Sequence, residues 1–185
     1  HARCGDPRPS IIFGPEDQFF NRFAQMTRMG PVLPLVGADT KFQPVYVDNV
    51  AEAAEKALTG SVSGGIYELG GPDAMSFRSL MDDMLAIIRR RRIVVDMPGF
   101  AARLMASGLS LAETLSLGLF TNTVLTRDQV ANLGHDNVVS GDHPGLAELG
   151  VEPVAMEAVL PDYLWRFRPS GQYAEIKESA RDLRA

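Results

Sequence analysis

The sequence predicts an α/β fold in which short strands alternate with longer helices. Three brief β-prone runs, at residues 9–14, 66–69 and 93–95, are each followed by a stretch in which apolar residues recur every three or four positions. Alternation of this kind is typical of α/β proteins rather than of helical bundles. At 185 residues and 45% hydrophobic composition, the chain can bury a core of ordinary size as a single domain.

The first strand and helix are predicted between residues 9 and 29. The run Ser-Ile-Ile-Phe is β-prone and ends at Gly14-Pro15, a pair that favours a turn. From residue 17 to residue 29 the apolar side chains return at helical spacing, and Gly30-Pro31 ends that pattern. Residues 31–37 are apolar without either period, which indicates an irregular connection.

Two further strand-to-helix units follow. Apolar and polar residues alternate sufficiently in residues 42–47 to predict a strand, and Asp48 is placed to cap a helix that ends at Gly60. The strand at residues 66–69 closes on Gly-Gly-Pro. Ser76 is then predicted to cap a helix that runs to Ile88.

The remainder of the chain is predicted to be mainly helical after the short strand at residues 93–95. Residues 100–125 are rich in leucine at helical spacing, and residues 126–133 indicate one more short helix. A last apolar helix is expected at residues 156–165, where Pro161 must either lie early or produce a kink.

The charge balance argues against a nucleic-acid partner. With 18 Lys and Arg against 23 Asp and Glu, the net charge is -5, whereas binding to a phosphate backbone needs clustered cations that release counterions. The basic run from Arg89 to Arg92 is interpreted as the solvated end of a helix, where cations complement exposed carbonyl groups. Contact with a phosphate or an anionic lipid is the alternative for this run.

The sequence predicts a cytoplasmic protein without a membrane-spanning helix. A single cysteine, Cys4, allows no internal disulfide, and the N-terminal residues lack the apolar run of a signal peptide. No stretch reaches the roughly 18 uncharged apolar residues that a spanning helix needs. Peripheral association with the inner face of the cytoplasmic membrane remains compatible with this composition.

Common catalytic and metal-binding patterns are missing from the sequence. His1, His135, His143 and Cys4 do not have metal-ligand spacing, so no metal site is predicted. The glycines do not form a Gly-x-Gly-x-x-Gly loop that opens a helix, which removes the usual cradle for a pyrophosphate. The polar cluster around Asp136 is interpreted as a turn.

Several motifs in the right order resemble the extended short-chain dehydrogenases, the NAD-dependent epimerase/dehydratase family. Within that family they are most similar to the branch that includes the nucleotide-binding accessory subunit of respiratory complex I. The motifs are RPSIIFGPED (8–17), FFNRFA (19–24), QPVYVDNVA (43–51), YELGGP (67–72), LTRDQV (125–130) and YLWRFR (163–168). The resemblance as a whole runs from about residue 8 to residue 173, most of the chain.

The resemblance implies a Rossmann-like fold and a cofactor of the NAD(P)(H) type. Ser10, Phe13, Gly14 and Pro15 match the segment that borders the nicotinamide end of the cofactor. Asp17, Arg22 and Gln43 are expected to line a substrate cleft below it. No catalytic residue is predicted in this chain, because the family's glycine-rich loop and its Tyr-x-x-x-Lys helix precede the first of these motifs.

The chain therefore resembles the C-terminal portion of such a protein, with the N-terminal nucleotide-binding half missing. Residues 1–7 are interpreted as a truncated or non-native start, residues 8–173 as the substrate-side part, and residues 174–185 as a polar tail. Tyr173 and Lys177 are one helical turn apart, as in the family's acid/base pair, but their place in the tail favours a surface turn. We do not expect this chain alone to bind the cofactor.

Three functions are compatible with these observations. The first is a non-catalytic, NAD(P)-binding accessory subunit of NADH:quinone oxidoreductase, with complex I as partner. The second is the substrate-binding half of an active epimerase, dehydratase or 3β-hydroxysteroid-dehydrogenase-like oxidoreductase. The third is an oligomeric interaction module, because exposed strand edges and apolar faces favour association of identical chains.

Overall fold

The computed structural model describes residues 5–59, 64–100 and 135–169, which form eight short strands and four helices. The α/β fold expected from the sequence is confirmed, with helices longer than strands. The strands are β1 (Asp6–Pro9), β2 (Ile12–Phe13), β3 (Val32–Val36), β4 (Lys41–Phe42), β5 (Val45–Tyr46), β6 (Ile66–Leu69), β7 (Met75–Ser76) and β8 (Ile93–Met97). The helices are α1 (Phe20–Met29), α2 (Val47–Leu58), α3 (Phe77–Ile87) and α4 (Met156–Leu164).

The strands pair two by two, and most of the pairs are parallel. Strands β1 and β6, β2 and β5, and β3 and β8 run parallel, whereas β4 and β7 are antiparallel. A parallel pair requires a long crossover between its members, and helices supply it here. α1 lies in the connection from β2 to β5, and α3 lies in the connection from β3 to β8.

The described residues enclose a large hydrophobic cluster and a smaller one. In the larger cluster α1, α3 and α4 contribute fully buried side chains such as Phe20, Leu80 and Leu164. The smaller cluster packs Val45 and Leu69 against the segment around Leu146. The first cluster therefore holds α4 against the two central helices, which places the end of the described chain next to its beginning.

Several predicted elements are confirmed. The strand predicted at residues 66–69 is β6, and the strand predicted at residues 93–95 is β8, which continues to Met97. Ser76 caps α3 as expected, since its hydroxyl oxygen accepts a hydrogen bond from the backbone N–H of Ser79 at 3.1 Å.

Two predicted strands are each divided into two. Residues 9–14 contain the end of β1 and all of β2, which pair with different strands, so the chain turns at Ser10-Ile11. Residues 42–47 are likewise divided between β4 and β5 around Pro44. Proline lacks the N–H that a continuous strand would donate, which explains the second interruption.

Two predictions near residues 31–48 are wrong. Residues 31–37 are not an irregular connection, because they contain β3, which pairs with β8 along its whole length. Pro34 is tolerated there because β3 is paired on one side only among the described strands. Asp48 does not cap α2; the cap position is Tyr46, and Asp48 lies in the first turn, where its carboxylate still complements the helix dipole.

The last helix begins at Met156 as expected and contains Pro161 in its interior. A single turn of 3-10 helix, Trp165–Phe167, follows it directly. The helices predicted at residues 100–125 and 126–133, and the tail beyond residue 173, lie outside the described residues. Within the described part, no helix is long and apolar enough to cross a bilayer.

The contribution of the larger core can be tested with two leucines of opposite burial. Leu80 of α3 is 0% exposed and Leu58 of α2 is 76% exposed. We expect Leu80→Ala to lower the free energy of unfolding by about 2–5 kcal/mol, because it leaves a cavity. Leu58→Ala should change it by less than about 0.5 kcal/mol. Urea denaturation would measure both, and equal effects would contradict the placement of α3 in the core.

Candidate functional site

A cleft of about 500 Å³ lies where β2 ends and α2 begins. The continuous segment from Ile12 to Gln18 forms one wall, and Val47 contributes from the opposite side. Most of the lining is apolar, with Phe13, Pro15 and Val47 beside the carboxylates of Glu16 and Asp17.

The position of the cleft follows from the pairing of β2 and β5. These strands are parallel, with Ile12 opposite Val45 and Phe13 opposite Tyr46, so their carboxyl ends lie side by side. A helix follows β5 immediately, and a turn leads from β2 to α1. Ligands of open parallel α/β sheets bind at the carboxyl ends of the strands, where the chain leaves in such turns.

The wall of the cleft is a tight turn that Asp17 holds closed. The backbone N–H of Asp17 donates to the carbonyl oxygen of Gly14 at 3.0 Å, and the N–H of Gly14 donates back to Asp17 Oδ2 at 3.4 Å. Asp17 Oδ1 also accepts from the N–H of Asn21 in the first turn of α1, at 3.1 Å. One carboxylate thus ties the turn to the helix that follows it.

The last helix supports this turn from behind. The hydroxyl of Tyr163 donates a hydrogen bond to Asp17 Oδ2. Arg166 donates from Nη2 to Asn21 Oδ1 at 2.5 Å and to the carbonyl oxygen of Pro15 at 3.1 Å. The side-chain amide of Asn21 donates to the same carbonyl at 3.1 Å. The cleft wall is therefore fixed by residues almost 150 positions apart in the sequence.

Tyr163 is suited to a supporting role rather than to proton transfer. Burial of its ring, then its hydrogen bond to Asp17 and the charge of that carboxylate, raise the pKa of the phenol far above its ordinary value. The hydroxyl consequently remains a hydrogen-bond donor at any physiological pH. A general acid/base would need a pKa near the working pH.

Gly14 is required by the close approach of α2. A Cβ at this position would lie 2.7 Å from Cγ1 of Val47, so that either the Val47 side chain or the turn would have to shift. The missing side chain also leaves the backbone of the turn open to the cleft. Beside it, the buried Phe13 ring packs against Tyr46, with 5.6 Å between the ring centres.

The structure brings together only part of the predicted site. Phe13, Gly14, Pro15 and Asp17 all line the cleft. Ser10, Arg22 and Gln43 do not belong to the lining. The Ser10 hydroxyl donates to the carbonyl oxygen of Asn137 at 2.6 Å, and Arg22 lies half-buried on α1.

Gln43 has a structural position at another edge of the fold. Its side-chain amide donates to the carbonyl oxygen of Gly71 at 2.7 Å, and its Oε1 accepts from the N–H of Val139 at 3.1 Å. It joins three segments that are distant in sequence. The glutamine is therefore more important for the loop that contains Gly70 and Gly71 than for the cleft.

Sequence reasoning missed Ile12, Glu16, Gln18 and Val47 in the lining, and Tyr163 behind it. Ile12, Glu16 and Gln18 were adjacent to predicted residues and could have been included by continuity. Val47 and Tyr163 could not, because only the pairing of β2 with β5 and the packing of α4 bring them here. Tyr173 and Lys177, the pair with family-like spacing, lie outside the described residues.

The lining fits the nicotinamide end of a dinucleotide better than its phosphates. Apolar walls and an open glycine backbone suit a flat ring. The lining contains two carboxylates, Glu16 and Asp17, and no Lys or Arg, so it would repel a pyrophosphate. Among the described residues there is also no group of three or more His, Cys, Asp or Glu side chains that could hold a metal ion.

Comparison with known proteins finds sequence similarity to two groups of proteins. The sequence profile of the 3-beta hydroxysteroid dehydrogenase/isomerase family matches residues 7–61. NADH dehydrogenase (ubiquinone) 1 alpha subcomplex subunit 9, mitochondrial, from Arabidopsis thaliana is 32% identical over 168 residues, which cover 89% of this chain and 42% of that protein. The Rattus norvegicus subunit of the same name is 31% identical over 166 residues, or 87% of this chain and 41% of that protein.

Solved structures show the same fold at lower sequence identity. UDP-glucose 4-epimerase from Thermus thermophilus, solved as a complex with NAD, superposes with a TM-score of 0.55 and 16% identity. The superposition covers 89% of this chain and 46% of the epimerase. The chain thus shares the fold of one portion of this epimerase. It spans about two fifths of the length of its curated relatives.

The hydrogen bond between Tyr163 and Asp17 predicts a specific response to alkaline pH. Because the pKa of Tyr163 is raised in the folded state, its stabilising effect is complete below the pKa of about 10 in the unfolded chain and is lost as the pH rises further. Tyr163→Phe should therefore flatten the decline of the unfolding free energy above pH about 10, by up to about 1.4 kcal/mol per pH unit.

The matched control is Tyr46→Phe, which removes a tyrosine whose pKa is raised by a hydrogen bond to Asp48 in a more accessible position. Tyr46→Phe should change the decline of the unfolding free energy with pH less than Tyr163→Phe does. Urea titrations at several pH values would compare the three proteins. The same slope for the wild type and Tyr163→Phe would show that this phenol is not locked to Asp17.

Proposed function

We propose that this chain belongs to the extended short-chain dehydrogenases and is the substrate-side portion of a nucleotide-binding accessory subunit of NADH:quinone oxidoreductase. The observation that carries the proposal is the match to the complex I subunits, at 32% identity across 89% of this chain. In this role the cleft contributes to holding a nucleotide and the chain stabilises its partner rather than catalysing a reaction.

The chemistry of the cleft supports a binding role. Of its carboxylates, Asp17 is engaged by Gly14, Asn21 and Tyr163 and is thus occupied in holding the turn. The phenol next to it is held as a neutral donor. Neither group is placed to exchange a proton with a substrate, which agrees with a binding role for this cleft.

The nucleotide that the family relationship suggests is NAD(P)(H), with its nicotinamide end at Phe13, Gly14 and Pro15. Bound there, the nicotinamide would supply hydride chemistry. This chain's own residues would shape the pocket around the ring and exclude water from it. Ser10, Arg22 and Gln43, which lie outside the lining, would then act through the position of neighbouring segments. Association of identical chains, which exposed strand edges favour, is part of the same proposal.

Partnership with complex I is tested in the source organism. An epitope-tagged copy of the protein should migrate with NADH:quinone oxidoreductase on native gels after mild solubilisation, and deletion of its gene should reduce the assembled complex. Migration apart from the enzyme, together with unchanged oxidoreductase activity in the deletion strain, would refute the proposal. The tag expressed alone is the control.

Nucleotide binding is tested by titration of the purified chain with NADH and NADPH. Because the cleft would contact only the nicotinamide end, we expect no saturable change in nicotinamide fluorescence or melting temperature up to millimolar concentrations. Saturation at micromolar concentrations would contradict this limited contact. Gly14→Ala, which crowds the cleft, and Gly30→Ala, where a Cβ meets nothing within 4 Å, would then show whether such binding uses the cleft.

A further inference from the structure

Four arginines that form no ion pair with another described residue gather where α1 ends and β8 begins. Arg28 is in the last turn of α1, and Arg90, Arg91 and Arg92 connect α3 to β8. None of the ion pairs among the described residues involves any of these four side chains. In a chain with a net charge of -5, this is a local excess of positive charge.

Hydrogen bonds to the backbone keep these arginines together. Arg90 donates from Nε to the carbonyl oxygen of Phe167 at 2.7 Å, and Arg92 donates from Nε to the carbonyl oxygen of Thr27 at 2.8 Å. The guanidinium of Arg28 lies 5.7 Å from the centre of the Phe167 ring. Burial, followed by the charges of Arg92 and Arg28, lowers the pKa of Arg90, which reflects cations close together.

Exposed apolar side chains adjoin the arginines. Met29 is 64% exposed, Ile93 is 64% exposed and Val32 is 45% exposed. Val32 and Ile93 are paired across β3 and β8, while Met29 follows Arg28 and Ile93 follows Arg92 in the chain. Cations and exposed apolar groups therefore lie close together at one end of the fold, a region that we call the arginine surface (Arg28, Met29, Val32 and residues 90–93).

The arginines still have N–H donors that could bind an acceptor outside the described part of the chain. A guanidinium carries five N–H donors, and within the described part of the chain Arg90 uses one of them. Arg91 is exposed, and only its backbone carbonyl takes part in a described hydrogen bond, as the acceptor for Arg92. Phosphate oxygens match the planar guanidinium in charge and geometry.

We propose that the arginine surface docks on the anionic headgroups of a lipid bilayer, with lipid phosphates against the arginines and with Met29 and Ile93 in the headgroup region. A free phosphate would use the cations and leave the apolar side chains in water. A bilayer interface takes cations and apolar groups at nearly the same depth, which is why it fits this surface better. The proposal does not depend on nucleotide binding in the cleft.

Flotation of the full chain with vesicles tests this docking. The protein should bind vesicles of phosphatidylcholine mixed with phosphatidylglycerol, should not bind phosphatidylcholine alone, and should dissociate at high salt, which screens exposed charges. Arg91→Glu should weaken binding at least about fivefold, since each basic residue near an anionic surface contributes on that order. Ile93→Ser should also weaken it, whereas inorganic phosphate should not displace the protein from the vesicles.

Lys41→Glu is the matched control, because it makes the same change in charge at another exposed position. It should bind as the wild type does. Four outcomes would overturn the proposal: binding that is independent of lipid charge, an equal loss of binding in Arg91→Glu and Lys41→Glu, full displacement by inorganic phosphate, or no binding to either kind of vesicle. The last two outcomes would favour a soluble phosphate ligand or an acidic protein partner. Circular dichroism would confirm that each variant is folded.

Discussion

The carboxylate of Asp17 is the interaction on which the candidate site depends. It accepts hydrogen bonds from the turn that it closes, from the helix that follows and from the last described helix. A carboxylate has about four acceptor positions, and three are used here. Because charged hydrogen bonds are the stronger ones, this single group fixes the wall of the cleft more firmly than the two-residue strand β2 could alone.

The parallel pairing of β2 with β5 determines the position of the cleft wall. Strands β2 and β5 contribute only two residues each, yet their register sets the end of one strand beside the start of α2. Gly14 then permits contact with Val47, which a larger residue would prevent. The cleft is thus bordered on one side by Val47 at the start of α2. On the other side it is bordered by the turn that the hydrogen bonds of Asp17 hold closed.

The sequence predicted the existence of the helices and strands more successfully than the points at which a strand is interrupted. Periodicity identified β6 and all four described helices, and the capping role of Ser76 followed from residue type alone. It missed β3 because Leu33, Leu35 and Val36 are buried and Pro34 hides the alternation. It also merged strands that pair with different partners, since nothing local shows which partner a strand has. For the site, Phe13, Gly14, Pro15 and Asp17 were found, whereas Val47 and Tyr163 depend on contacts between distant segments.

The end of the described chain links the two surfaces that matter most. Tyr163 and Arg166 contact the turn at the cleft, and the next residue, Phe167, accepts a hydrogen bond from Arg90 and lies near the guanidinium of Arg28. Residues 163–168 therefore sit between an acidic cleft and a basic surface. Because they support both, a substitution that displaces them should disturb both together, whereas Arg91 and Gly14 each affect one. Selective changes at those two positions can thus separate ligand binding in the cleft from docking at the arginine surface.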